Sequence, residues 1–272
     1  LTSYAVLPPE LEVRSYRTTP AALLGQLNSP ELRDVDLLPS LAMAVGLSSM
    51  QRPGLSVSVE DGVAAQATWR TRFNGAAGGR TAHEAILDAS AAKSIPLPGF
   101  ARHVLAGRMA QGAASPHSSN LFDVGGVSGS SLEVIPGLAI GGTRRTFFVR
   151  GFAPGTMVGN RAAAGSLEYR APIARVGRGI GLVPASLRSL SVLAFTDAGS
   201  AWCSETVAGS TFCGAARPAQ RWVASAGGEL VFDTALQYDV LYRMRLGVAA
   251  PVQGTDLALR GATIYFTFGS TF

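Results

Sequence analysis

Tyr238-Asp239-Val240-Leu241-Tyr242-Arg243-Met244-Arg245-Leu246-Gly247-Val248 is the stretch on which the fold turns. Tyr238, Val240, Tyr242, Met244, Leu246 and Val248 share one parity, while Asp239, Arg243, Arg245 and Gly247 fall on the other. Alternation with period two marks a strand, here with one apolar and one charged face. Two arginines and an aspartate inside a soluble sandwich would carry a heavy desolvation cost. On the wet inner wall of a membrane barrel they carry little. The opposite face stays apolar over about ten residues, the length a tilted membrane strand needs.

Composition is compatible with that reading without forcing it. The 272 residues include 32 Gly, 15% charged and 8% aromatic side chains, and mean hydropathy is +0.24. No run of apolar residues is long enough for a membrane-spanning helix. A chain apolar on average but never continuously so fits a membrane barrel. A soluble β-sandwich or barrel competes on composition alone. The net charge of +5 is modest and unclustered, which argues against nucleic acid. The chain opens on Leu1 without a charged-then-apolar leader, so a longer precursor is expected.

Other segments alternate in the same way. Working back from the C-terminus, candidate strands lie near Leu257–Thr271, Gln220–Phe232, Leu187–Trp202 and Ala163–Arg175. Further upstream are Phe100–Gln111, His83–Ile95, Val63–Phe73, Leu55–Val59 and Leu41–Ser48. Glu60-Asp61-Gly62 reads either as a tight hairpin between Leu55–Val59 and Val63–Phe73 or as a kink in one long strand. The expected layout is a barrel over residues 38–272, with a long, glycine- and serine-rich inward loop over about 112–162. Residues 1–37 read as an irregular linker, because Leu7-Pro8-Pro9 cannot form a central strand. Ala21–Leu27 is a short helix candidate stopped by Asn28-Ser29-Pro30.

Cys203 and Cys213 sit ten positions apart in a Ser/Thr/Gly-rich segment. They read as a small loop disulfide formed in an oxidising compartment, worth roughly 2–3 kcal/mol by loop-closure entropy, or as two free thiols. No second Cys/His pair suggests zinc, and His83, His103 and His117 lack metal-ligand spacing. Gly-x-Ser-x-Gly and Walker patterns are absent, so neither an enzyme, a metal site nor a cofactor is expected.

Thr146-Phe147-Phe148-Val149-Arg150-Gly151-Phe152 places an arginine between an apolar run and a glycine. Its Val149-Arg150-Gly151-Phe152 resembles the Val-Arg-Gly-Phe/Tyr signature of the BamA/TamA/two-partner-secretion superfamily of outer-membrane barrels. Leu167-Glu168-Tyr169-Arg170-Ala171-Pro172 resembles the strand after that family's inward loop, and Phe195-Thr196-Asp197-Ala198-Gly199 the Phe-x-Asp-x-Gly of the next strand. Phe266, Phe268 and the terminal Phe272 share a parity, and the end of the chain resembles the family's terminal assembly signal. Gly177–Leu187 is similar to a subgroup whose barrel follows a TolB-like propeller. No propeller or POTRA domain is visible, and nine or ten candidate strands stand against the sixteen that the resemblance implies.

The resemblance implies an all-β, antiparallel transmembrane barrel in the bacterial outer membrane that inserts or translocates proteins. Its neighbours would be outer-membrane lipid and lipopolysaccharide, client proteins, and a periplasmic domain or further subunits. An accessory barrel or pore that anchors a partner complex is the competing function. The resemblance also implies that Arg150 pairs with Glu168 and Asp197 on the wall. An arginine fork suits two carboxylates. Parity agrees: Asp197 facing inward brings Ser191, Leu193 and Phe195 with it, and Glu168 facing inward leaves Leu167 and Tyr169 for lipid. Glu168 and Asp197 would also suit a paired-carboxylate hydrolase, but the loop arginine accounts for them better.

Overall fold

The computed structural model describes residues 2–6, 9–15, 35–54, 56–73, 81–115, 121–127, 145–180, 183–205, 213, 220–236 and 240–270. Fourteen strands are defined among them: β1 Thr2–Val6, β2 Pro9–Ser15, β3 Val35–Ser48, β4 Gly62–Arg72, β5 Ala82–Ile95, β6 His103–Ala114, β7 Phe122–Val124, β8 Arg145–Phe147, β9 Met157–Gly159, β10 Arg161–Ile180, β11 Val183–Trp202, β12 Val223–Leu236, β13 Val240–Gln253 and β14 Thr263–Ser270. The main sheet runs β1-β3-β4-β5-β6-β10-β11-β12-β13-β14, all antiparallel, with β2 also on β3. From Val6↔Ala44 to Pro9↔Leu41 both chains advance three residues, so β1 and β2 form one row along β3.

Residues 2–6 and 9–15 therefore carry strands where an irregular segment was expected. Pro9 opens β2, the position in a strand that tolerates a missing donor. The helix candidate Ala21–Leu27 lies outside the described residues. Of the expected strand Leu55–Val59, Leu55 lies outside the described residues, and 56–59 are not a strand but run through bends, with the isolated bridge Gln51↔Asp61 flanking them. Gly62 closes this connection with φ +122, and a Cβ there would run into the backbone of Ser49.

The two faces of the sheet are inverted relative to a water-soluble protein. Met43, Val45, Leu105, Met109, Leu167, Val192, Leu230, Leu246 and Val248 are exposed on the outer face. Glu84, Ser191, Asp197 and Glu229 are buried on the inner one. A soluble sandwich would bury the first set against a second sheet. An apolar exterior around a polar interior is the arrangement of a transmembrane barrel. The sheet curls: the backbone oxygen of Val57, between β3 and β4, accepts from Arg243 Nη2 of β13 at 3.0 Å. Among the described residues it does not close: β14 pairs only with β13, and ten rows are present.

The strand ends joined across 49–61, 96–102, 181–182 and 237–239 share one end of the sheet. Those joined across the longer stretches 73–81, 115–160, 203–222 and 254–262 share the other, the asymmetry of an outer-membrane barrel. At the short-turn end Asp61 is clasped by β5. Ser94 Oγ donates to Oδ2 at 2.6 Å and Lys93 Nζ to Oδ1 at 3.0 Å.

Two measurements test this description. Leu230→Arg, on the outer face, should cost about 2–4 kcal/mol in denaturant unfolding from lipid vesicles if that position lies near the bilayer midplane; an unchanged midpoint contradicts the lipid-facing assignment. The Ser94 hydrogen bond, reinforced by Lys93, pulls the Asp61 carboxyl down to about 2. The clasp is then fully present above the ordinary carboxylate range near 4 and is lost as pH falls through about 2. An NMR titration of Asp61 should show this midpoint, and Ser94→Ala should raise it.

Candidate functional site

The described parts of connection 115–160, residues 121–127 and 145–160, fold into the lumen as a small body of their own. β7 pairs with β8 in parallel and with β9 antiparallel. Local sequence patterns give no hint of it, since three-residue strands are too short to show a period. β6 also continues to Ala114, into the expected loop. Phe122, Val124, Phe147, Val149 and Phe152 form an apolar cluster against Ile86, Ala110, Ala114, Ala162, Ala201 and Val223 of the wall. Phe122 and Phe147 meet edge to face, centroids 5.5 Å apart. Small wall residues leave room for large plug residues.

Below this cluster the chain turns at Arg150. Gly151 has φ +88, and a Cβ there would sit 3.2 Å from that of Ala249 and 3.4 Å from that of Ser225. Left-handed backbone and close approach to β12 and β13 together call for glycine. The turn aims the guanidinium at the wall. Arg150 Nε donates to Asp197 Oδ2 and Nη2 to Oδ1, both at 2.7 Å, and the backbone N–H adds a third bond to Oδ2 at 3.0 Å. Nη2 also reaches Ser166 Oγ and Glu168 Oε1, each at 2.9 Å. Nη1 donates to Glu229 Oε1 at 3.0 Å. The guanidinium carbon stands 3.5 Å from the ring centre of Phe195, a cation–π contact that takes one face of the fork.

Phe195-Thr196-Asp197-Ala198-Gly199 thus acquires a physical meaning. Phe195 supports the guanidinium, Asp197 grips it at two points, and Gly199 leaves a slot. A Cβ on Gly199 would lie 2.7 Å from Val149 Cγ2. Leu167 and Tyr169 face outward and Glu168 inward, as their parity predicts.

The structure brings Arg150, Glu168 and Asp197 together and adds Glu229, which sequence reasoning missed. The side chain of Glu229 has no exposed surface, and that of Arg150 keeps 6%. A carboxylate directly before the apolar run Leu230-Val231-Phe232, on the parity of Ser225 and Gly227, was the available signal. Two more cations complete the set. Arg170 grips Glu168 Oε2 through Nε at 3.0 Å and Nη2 at 2.6 Å, and Arg245 Nη1 lies 3.8 Å from Glu229 Oε2. Three arginines face three carboxylates, so the cluster is electrically balanced. On the far wall Arg145 Nη2 donates to Asp88 Oδ2 of β5 at 2.6 Å, a second and more exposed tether. A cavity of about 360 Å³ remains beneath the plug, and Arg108, Arg170, Arg243 and Arg245 are among its lining residues.

Cys203 and Cys213 are disulfide-bonded above the plug. Asn160 ties that region down: Ser204 N donates to its Oδ1 at 2.8 Å, and its Nδ2 donates to Ala114 O at 3.3 Å. Phe266 and Phe268 stand on the outer face of β14, the latter stacked on Tyr242 at 4.7 Å, and Phe272 lies outside the described residues. No His/Cys/Asp/Glu group among the described residues is arranged to hold a metal.

Removing Arg150 leaves three carboxylates facing inward with too few cations. Arg150→Ala should cost about 3–5 kcal/mol. Arg150→Lys should recover little of that, because one ammonium cannot serve Asp197 at two points and Glu229 as well. Unfolding midpoints in detergent, with protease cleavage of connection 115–160 as a second readout, test both.

A profile of the Omp85 superfamily domain matches residues 61–272, from the first residues before β4 to the end of the chain. Comparison with curated proteins finds no match. With an all-antiparallel sheet, an apolar outer face and a charged lumen already in view, the chain belongs to the Omp85 superfamily, a family of bacterial outer-membrane barrels that insert or translocate proteins with the help of partner proteins.

Proposed function

We propose that this chain is an outer-membrane insertase barrel, in which β14 meets the client strand while the plug locked by Arg150 keeps the lumen shut. Family membership supports insertion or translocation in general. The observation that favours insertion is the contrast between a firmly seated plug and a free strand edge. Translocation through the lumen requires the plug to leave, giving up the apolar cluster around Phe122 and Phe147, the Arg150 cluster and the Arg145–Asp88 tether together. Insertion at an edge requires none of this. The outward edge of β14 carries unpaired ladder groups among the described residues, and such an edge accepts an added strand through main-chain hydrogen bonds.

The Val149-Arg150-Gly151-Phe152 turn then serves as a lock that holds the interior while the edge works. Client barrel proteins, and a periplasmic subunit that delivers them, are the partners this reading calls for.

The experiment is folding of a urea-denatured client barrel into liposomes that contain the purified chain, followed by heat-modifiable gel mobility. Folding should be faster than into empty liposomes, and Arg150→Ala should slow it roughly tenfold, the worth of one buried charged hydrogen bond. Equal rates with and without the protein would favour an accessory barrel that anchors a partner complex.

A further inference from the structure

β14 has one strand neighbour among the described residues, yet it is held by more than that ladder. Glu229 of β12, Gly247 of β13 and Tyr265 of β14 lie in register as one row across three strands. Gly247 has no side chain to fill its place. A Cβ there would stand 2.6 Å from Tyr265 Cε2 and Oη. The tyrosine ring therefore lies across β13 in the slot the glycine leaves and packs beside Leu193, Phe195, Val231 and Ala249. Its hydroxyl donates to Glu229 Oε1 at 2.6 Å. That same oxygen accepts Arg150 Nη1. One row further, Arg245 Nε donates to Thr267 Oγ1 of β14 at 3.0 Å while its Nη1 lies 3.8 Å from the second Glu229 oxygen.

We propose that Glu229 and Tyr265 couple the plug to the last strand, so that release of Arg150 loosens β14 and detachment of β14 loosens the Arg150 lock. Tyr265 is a positioning residue: its hydroxyl bonds the Glu229 oxygen that Arg150 also bonds, and it acts through that carboxylate. The physical basis is a single, fully enclosed carboxylate shared by two elements. With Arg150 gone, the cation that remains closest is Arg245, and its turning to Glu229 takes Nε away from Thr267. Both inner-face bonds to β14 change at once. Coupling of this kind is reciprocal, so loss of the tyrosine hydroxyl must act back on Arg150. Gly247 and Tyr265 look unrelated along the chain and acquire a shared purpose only as slot and occupant.

The coupling rests on the proposed insertase reading only in giving β14 and the plug a joint task; its test uses no client. Hydrogen exchange of the purified full chain in detergent is followed for 263–270 and for 149–152. Tyr265→Phe keeps the ring in its slot and removes only the hydroxyl. It should raise exchange at 149–152, as well as in β14, by about tenfold. Glu229→Gln keeps size and an acceptor oxygen and should loosen both segments. Arg150→Lys should raise exchange in β14, and in β14 the Tyr265→Phe/Arg150→Lys double variant should exceed neither single variant by much, because both act through the one shared Glu229 oxygen. Faster exchange in β14 alone after Tyr265→Phe overturns the proposal, as do effects of the two single variants that multiply in the double. Coupled exchange without client insertion would leave this inference standing and remove the insertase reading; insertion with uncoupled exchange would do the reverse.

Discussion

A guanidinium that reaches the inner wall of a membrane barrel has to be matched charge for charge. That requirement organises this protein. Arg150 is enclosed with 6% of its side chain exposed, Asp197 and Glu229 are enclosed further, and Glu168 lies at the edge of the cluster with 17% exposed. Taking such charges out of water costs several kcal/mol per ion, repaid only when geometry is good and each charge is matched. Here the repayment comes from a two-point grip by Asp197, from Glu168 and Glu229, and from Arg170 and Arg245 balancing the surplus. A balanced cluster of this kind adds less to stability than to uniqueness. It seats the Val149-Arg150-Gly151-Phe152 turn at the point on the wall where Arg150 meets three carboxylates.

The apolar part of the plug has a different task. Phe122, Val124, Phe147 and Val149 fill the lumen against alanines and glycines of the wall, a lock-and-key of large against small. Apolar packing supplies cohesion, the ion cluster supplies register, and Gly151 joins the two by turning the chain where a Cβ has no room. Asn160 ties Ser204, next to the Cys203–Cys213 disulfide, to Ala114 at the end of β6. The opposite end is narrowed by 49–61, whose Val57 and Ser58 are buried beside β13. Between these closures lies the arginine-lined cavity.

Much of the wall was legible from alternation. Leu167 out and Glu168 in, Val192 out and Leu193 in, Leu246 out and Gly247 in all follow from a period of two, which is a local property of the backbone. Where local rules conflicted, the reading went astray. Glu10, Glu12 and Arg14 alternate with Leu11 and Val13, yet the neighbouring prolines argued for a linker, and the structure places a strand there. Leu55–Val59 has strand-forming residues but no partner row, and runs inward as a bent connection. Three-residue strands such as β7, β8 and β9 exist only because the lumen holds them together.

Parity decides which face a residue occupies; it says nothing about which inward residues of different strands coincide. Glu229 was recognisable as a lumen residue, but its place beside Arg150 depends on the pairings Leu193↔Glu229 and Glu229↔Gly247, set by the register of three strands. The strand pattern, the charged interior and the arginine that needed acids belong to the chain read residue by residue, since they rest on backbone geometry and on the cost of an unmatched charge. The third acid, the slot at Gly247 and the bond from Tyr265 belong to the folded sheet alone, because register is a property of strands together and not of any one of them.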